Sequence, residues 1–380
     1  MAYYITANRI PNVHRLTLDD IWNGYDEVLL AVQKDTRDTT TWRVEKINSA
    51  LIEKTDFWRM EHNLRKFVEK YSNLIEIEDK STLYRSFKIP KRSGGLRQID
   101  APLDDLKDAL YELKWILENH FYVSYHTAAF AYVRGRNTID AVKRHQRNKS
   151  RWFLKTDMRH FFPSTSPEFL MKMLCQLFPF CHFVTRPGCK ELFEKALSLC
   201  FLNGGLPQGT PTSPMLTNAM MIPIDHAISK MCREHHPHLC YTRYADDVLI
   251  SSEYNFKWTD VQKEVVSILE SFGAPFCLHP DKTRYGSSAG RNWNLGVMLN
   301  ADNKITIGHE KKKVFKAMIF QFMTDDAKGN PWELADVQHF LGLISYYKMV
   351  EADCINEILA TYSKKFNKSV EETAKAYTKA

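Results

Sequence analysis

The sequence predicts an α+β fold, on three observations. Long stretches such as "WRMEHNLRKFVEKYSNLIEI" (58–77) carry apolar residues at three- and four-residue spacing, the mark of helices packed along one face. Short apolar runs bounded by Gly, Pro or charged residues interrupt them and read as strands. One pair of such runs, "YTRYADDVLIS" (Tyr241–Ser251), holds two aspartates at its junction, so a hairpin would carry both carboxylates at its turn.

The elements follow in order. From Leu16 to about Glu78 the spacing is mostly helical. "LYRSFKIPKRSGGLRQIDAP" (83–102) alternates, breaks at Pro90 and Gly94-Gly95 and resumes, the pattern of a hairpin with a basic tip. "LDDLKDALYELKWILENHF" predicts a long helix. A Gly-marked loop, "YVRGRNT", precedes a helix over "IDAVKRHQRN", and "RWFLKTD" reads as a strand ending at Asp157. Helical material fills Pro167 to Leu202. "GGLPQGTPTSP" is a loop, and "MLTNAMMIPIDHAISKMCREH" (215–235) one helix.

Of the 380 residues, 44% are apolar and 26% charged, values of a globular chain with a substantial core. The net charge of +7 is modest, but basic residues cluster with aromatics in three places: Arg85 to Arg97, Arg134 to Arg151, and Lys311 to Lys316. Such interleaving points to a polyanion partner, with solvated surface as the competing reading. No run approaches the length of a membrane span, and the N-terminus lacks a basic-then-apolar leader. Eight irregularly spaced cysteines fit a reducing compartment, so a cytoplasmic protein without a membrane partner is expected. "CREHHPHLCY" (232–241) gathers Cys and His but lacks paired zinc-ligand spacing.

Asp246 and Asp247 stand in an apolar run, where like charges need compensation. Asp157 closes another apolar run, and two strands ending side by side would bring the three carboxylates together. Three crowded carboxylates call for cations, and hard oxygen ligands favour Mg²⁺. A pair of such ions stabilises both the attacking and the leaving oxygen of a phosphoryl displacement. A solvated turn is the other reading of an Asp-Asp pair.

Six segments in order resemble the motifs of reverse transcriptases of the bacterial retron-like kind. They are "YRSFKIPKRSGGLRQIDAPLDDLK", "AFAYVRGRNTIDAVKRH", "LKTDMRHFFPS", "GGLPQGTPTSPMLTN", "YTRYADDVLIS" and "LHPDKTRYG", and the resemblance runs from about Tyr84 to Lys348. The resemblance implies a right-hand polymerase: interleaved fingers and palm over 84–300, a helical thumb over 301–380, and a helical N-terminal extension over 1–83. It implies two Mg²⁺ ions on Asp157, Asp246 and Asp247, and Lys282 as the proton donor to pyrophosphate. Lys91 and Arg97 would clamp the triphosphate of a dNTP, Gln208 and Gly209 would border the nucleotide, and Phe162 would lie beneath its sugar. From charge and position, Arg134, Arg136 and Arg243 are expected on nucleic-acid backbone. The implied partners are an RNA template, the DNA product and dNTPs, with a cognate noncoding RNA and an effector protein as further candidates. The chain departs from retron enzymes at "DAVKRH" (140–145), where they have Asn-Ala-x-x-His, and at "NLGV" (294–297), where they have Val-Thr-Gly. Retrons and other defence-associated reverse transcriptases both remain open. So do a polymerase-like RNA-binding scaffold and a template-independent polymerase of the abortive-infection type.

Overall fold

A computed structural model describes residues 55–90, 94–121, 125–236, 238–288 and 293–378. Helix α1 (Phe57–Lys70) begins where the Asp56 carboxylate accepts from the Arg59 N–H, an N-cap. Its Phe57, Met60, Leu64 and Phe67 recur along one stripe and are buried against later helices. Strands β1 (Tyr84–Pro90) and β2 (Leu96–Pro102) form the expected hairpin, paired from Tyr84↔Pro102 to Pro90↔Leu96. Helix α2 (Asp104–His120) buries Leu106, Leu110, Leu113 and Leu117 at the same helical period.

Helix α3 (Thr138–Arg147) explains one departure from the retron pattern. Asp140 completes a capping box: Asn137 Oδ1 accepts from the Asp140 N–H, and Asp140 Oδ2 accepts from the Asn137 N–H. His145, on the next turns, is fully buried between Ser251 and Thr242.

Strand β3 (Trp152–Asp157) is followed by helices α4 (Pro167–Leu174) and α5 (Cys189–Ser198). The segment expected as one helix over 215–235 is two, α6 (Ser213–Met220) and α7 (Ile222–Glu234), separated at Met221. Pro223 has no N–H to give to the preceding turn and sits instead in the first turn of α7, where none is needed.

Strands β4 (Cys240–Tyr244) and β5 (Asp247–Ser252) form a hairpin; helix α8 (Trp258–Ser271) and edge strand β6 (Arg284–Ser287) follow. The central sheet has the order β4-β5-β3-β6, antiparallel throughout. Its alternation sorts side chains cleanly. Leu154, Val248, Ile250 and Tyr241 point into the main core with α1, α2, α6 and α7. Phe153 and Leu249 point to the other face, which also carries Lys155, Asp157 and Asp247. A small sheet, β7 (Trp293–Asn294), β8 (Val297–Leu299) and β9 (Ile305–Thr306), packs Val297 and Leu299 against Phe153, Ile139 and Val142.

Helices α9 (His309–Ala327), α10 (Leu334–Phe366, kinked at Glu351) and α11 (Val370–Tyr377) share a separate core built on Phe315, Phe322, Phe340 and Ile344. The basic cluster Lys311–Lys316 lies on α9, where Lys313, Val314 and Lys316 are exposed and Phe315 and Ile319 buried. Residues 1–54 of the expected extension lie outside the described residues. The helix at its end, α1, belongs to the main core.

Candidate active site

Strand register brings the three aspartates together. Asp157, the last residue of β3, pairs directly with Asp247, the first of β5. Asp246 occupies the two-residue turn of the β4–β5 hairpin, after Ala245 at φ 57°, a left-handed conformation uncommon for alanine. The Met158 N–H donates to the Asp246 carbonyl at 3.0 Å, which ties this turn to the exit of β3. The group opens into a cleft of about 1670 Å³ bordered by Arg97, Phe162, Gln208, His279 and Lys282.

The electrostatics are those of a site short of positive charge. Burial, then the neighbouring Asp157 and Asp247, push the Asp246 carboxyl up to about 6. Burial also raises Asp247, opposed by Lys155, whose Nζ is 3.8 Å from its Oδ1. Lys282 Nζ lies 2.5 Å from Asp157 Oδ2. The lysines thus stand where cations relieve the carboxylates, and an all-oxygen donor set of this charge fits Mg²⁺.

The remaining expected residues fall into distinct positions. Lys91 lies outside the described residues. Arg97 is on β2 opposite Ile89 and borders the cleft. Phe161 is 2% exposed and set edge-on against Phe276, whereas Phe162 is 9% exposed; both rings border the cleft. The Gln208 carbonyl accepts from the Asp100 N–H at 2.8 Å. A Cβ on Gly209, at φ 123°, would lie 3.0 Å from the Asp100 carbonyl oxygen and from Ile99 Cγ2. What the bare backbone of Gly209 admits is therefore strand β2, docking the hairpin on the 204–214 loop.

Of the three arginines expected on nucleic-acid backbone, Arg134 alone is exposed. Arg136 is half-buried, and its Nη1 donates to the carbonyls of His126 and Ala129, both at 2.7 Å, stapling the loop. The reading of Arg243 as a nucleic-acid contact is corrected. It pairs with Val248 on the core face of the sheet, and its side chain is 0% exposed in an ion pair with Asp225 of α7. Register decides this: Tyr244, one residue on, takes the cleft-facing position opposite Asp247.

Sequence reasoning passed over Lys155 and His279. Lys155 stands two residues before Asp157 and shares its face, a period-2 signal that was available. His279 donates its backbone N–H to the Asp157 carbonyl at 2.7 Å. Nothing local in "LHPDK" marks that long-range bond.

Residues 89–322 match the family "Reverse transcriptase (RNA-dependent DNA polymerase)". The chain is 30% identical over 302 residues to the Retron Ec83 reverse transcriptase of Escherichia coli, covering 77% of this chain and 91% of that one. It is 29% identical over 252 residues to the Retron Mx162 reverse transcriptase of Myxococcus xanthus, covering 60% and 49% respectively. The Retron Ec73 reverse transcriptase of Escherichia coli is 30% identical over 235 residues, covering 60% of this chain and 72% of that one. Among solved structures, telomerase from Candida albicans in complex with a telomeric RNA fragment aligns with a TM-score of 0.45 at 13% identity, over 84% of this chain and 70% of that one. The match over residues 89–322, the retron relatives and the carboxylate-bearing antiparallel palm agree, and the chain belongs to the reverse transcriptase family as a retron-like, RNA-directed DNA polymerase of the right-hand fold.

Proposed function

We propose that the cleft polymerises dNTPs on a retron's noncoding RNA template by two-metal phosphoryl transfer. The observation that carries this reading is the register that sets Asp157 against Asp247 with Asp246 in the adjoining turn. Asp157, Asp246 and Asp247 would hold two Mg²⁺ ions, which when bound supply charge stabilisation at the attacking and leaving oxygens. Arg97 on the fingers hairpin faces the cleft as a charge-assisted donor to the triphosphate, with Lys91 its expected companion. Lys282, beside Asp157, is the acid for the departing pyrophosphate. Phe162 borders the sugar and excludes a 2′-hydroxyl, while Gln208 orients the base. Arg134 meets the template backbone. An effector protein of an anti-phage system is the expected protein partner, by likeness to the family alone.

Asp157→Asn and Asp246→Asn test the reading, each assayed for dNTP incorporation on a primed RNA in Mg²⁺. Each should lose about 10³ or more in rate, several kcal/mol of barrier. RNA affinity should hold, since binding rests on basic surfaces. Extension at wild-type rate by either variant would sink the proposal.

A further inference from the structure

We infer that Arg243 is a positioning residue: its buried guanidinium clamps the strained turn that carries Asp246 and ties it to the fingers loop. The inference rests on the carboxylate reading above and extends it to a residue that never reaches the cleft.

The guanidinium donates four hydrogen bonds. Nε and Nη2 donate to the two Asp225 carboxylate oxygens at 2.9 and 2.8 Å, a bidentate pair. Nη1 donates to Asn218 Oδ1 at 3.1 Å and to the Ala245 carbonyl at 3.0 Å. Asp225 also accepts from the Tyr241 hydroxyl at 2.7 Å. Both charged side chains are 0% exposed, so the arrangement stands apart from solvent and salt.

Ala245 and Asp246 are consecutive residues of the catalytic turn, and each carbonyl is pinned from a different side. The Ala245 carbonyl is held from beneath by Arg243, and the Asp246 carbonyl by the Met158 N–H of the strand exit. The two peptide planes that flank the Asp246 Cα are thereby held, one through each carbonyl. Ala245 holds φ 57°, a conformation that persists only where surroundings impose it. The donor that imposes it comes from the residue two positions earlier.

The same arginine reaches the fingers. Its backbone N–H donates to the Ala128 carbonyl at 2.7 Å, and its carbonyl accepts from the Phe130 N–H at 2.9 Å. Asn218, which accepts from the guanidinium, donates its amide to the Ala131 carbonyl at 2.8 Å. Tyr132 follows, 58% exposed and held at φ 58°. One buried residue thus braces both the Asp246 turn and the loop over 128–132, the first through its guanidinium and the second through its backbone and Asn218. A lysine in its place would keep the charge, but its single nitrogen has no planar fork with which to hold Asp225, Asn218 and Ala245 together.

Two variants test this. Arg243→Lys keeps the charge. The double variant Arg243→Met with Asp225→Leu replaces the ion pair by apolar groups of similar size, an exchange buried pairs often tolerate without loss of stability. Thermal midpoint, RNA affinity, kcat and the Mg²⁺ concentration at half-maximal rate are measured for each. Hydrogen exchange of the Met158 amide is followed in metal-free protein. The expected result is a thermal midpoint and RNA affinity near wild type in the double variant, with kcat lowered and the Mg²⁺ midpoint raised. The size expected of a residue orienting a metal ligand is about 10–100-fold. Faster exchange at Met158 should accompany it without any metal. A purely stabilising role predicts that activity follows the thermal midpoint, with an unchanged Mg²⁺ midpoint. Wild-type kcat, Mg²⁺ midpoint and Met158 protection in either folded variant overturn the inference. Asp246→Asn, run in parallel, separates the two readings: full activity there refutes the carboxylate assignment itself.

Discussion

Replacing Gly205 by alanine should disable incorporation while leaving RNA binding intact. A Cβ at this position would lie 2.0 Å from the Pro163 carbonyl oxygen, 2.6 Å from its carbonyl carbon and 2.9 Å from its Cα. These are backbone atoms, so no side-chain rotation relieves the clash. Reaching the 3.4 Å of ordinary contact requires a separation of 3.4 − 2.0 = 1.4 Å. Pro163 follows Phe162, whose carbonyl accepts from the Leu206 and Thr165 N–H groups, both at 3.1 Å. The displacement therefore passes to the ring at the cleft and to the loop leading to Gln208. Overpacking of this kind costs about 1–3 kcal/mol of stability, and misplacing reacting groups by about 1 Å costs about 10² in rate. The assay is single-nucleotide extension of a primed RNA at saturating dNTP, beside a thermal melt. Gly204→Ala serves as control: Gly204 is at φ 79° with nothing within 4 Å of an added Cβ, so backbone strain of about 1–2 kcal/mol should appear without the rate loss. Equal rates for Gly205→Ala and wild type would refute the steric reasoning.

Phe162→Ala should admit ribonucleotides, eroding a preference of roughly 10³ for dNTPs, while Phe161→Ala should chiefly lower stability. Relaxed sugar selection in the Phe161 variant alone would move the gate by one residue. Acid should weaken the fold through two buried imidazoles, His126 held down to about 4 and His145 to about 3, both mainly by burial. The unfolded chain protonates each near 6.5 and the folded chain does not, so stability falls as pH drops below that value. Between pH 7.5 and 5.5 the pair should cost about 3 kcal/mol, read from urea midpoints, and His145→Asn should remove about half of it. Template affinity should fall steeply with salt, each neutralised phosphate adding about −0.7 to −0.9 to the log–log slope. A flat profile would make the basic clusters ordinary surface.

Much of the site was legible because it is written in short-range terms. An apolar run ending in Asp157 and a two-residue acidic turn between β-prone runs specify strand ends, and strand ends are where a sheet gathers carboxylates. The hairpin over 84–102 was legible from Gly94-Gly95 and its alternation. Arg243 was not, because its charge suggested a polyanion while its true partner, Asp225, lies on α7, eighteen residues away in the chain. Strict alternation from the cleft-facing aspartates would have put it on the core face. The break at Met221 was hidden by apolar periodicity running through it, although Pro223 was in view. Gly209 was expected at the nucleotide; its positive φ and the contact with β2 depend on a docking that no local pattern encodes.

The β1–β2 hairpin behaves mechanically as a cantilever. Beyond Tyr84 the residues of β1 are exposed, and β2 is exposed over Leu96–Gln98 and half-covered from Ile99 onward. The bond from Asp100 to Gln208 and the contact at Gly209 therefore act as its clamp near the root. Seven residues of strand give a beam about 20 Å long. A rotation of about 5° at the root then carries the Pro90–Leu96 end through about 2 Å. Arg97 rides near that end, so stiffness at one glycine contact sets how far a guanidinium travels over the cleft.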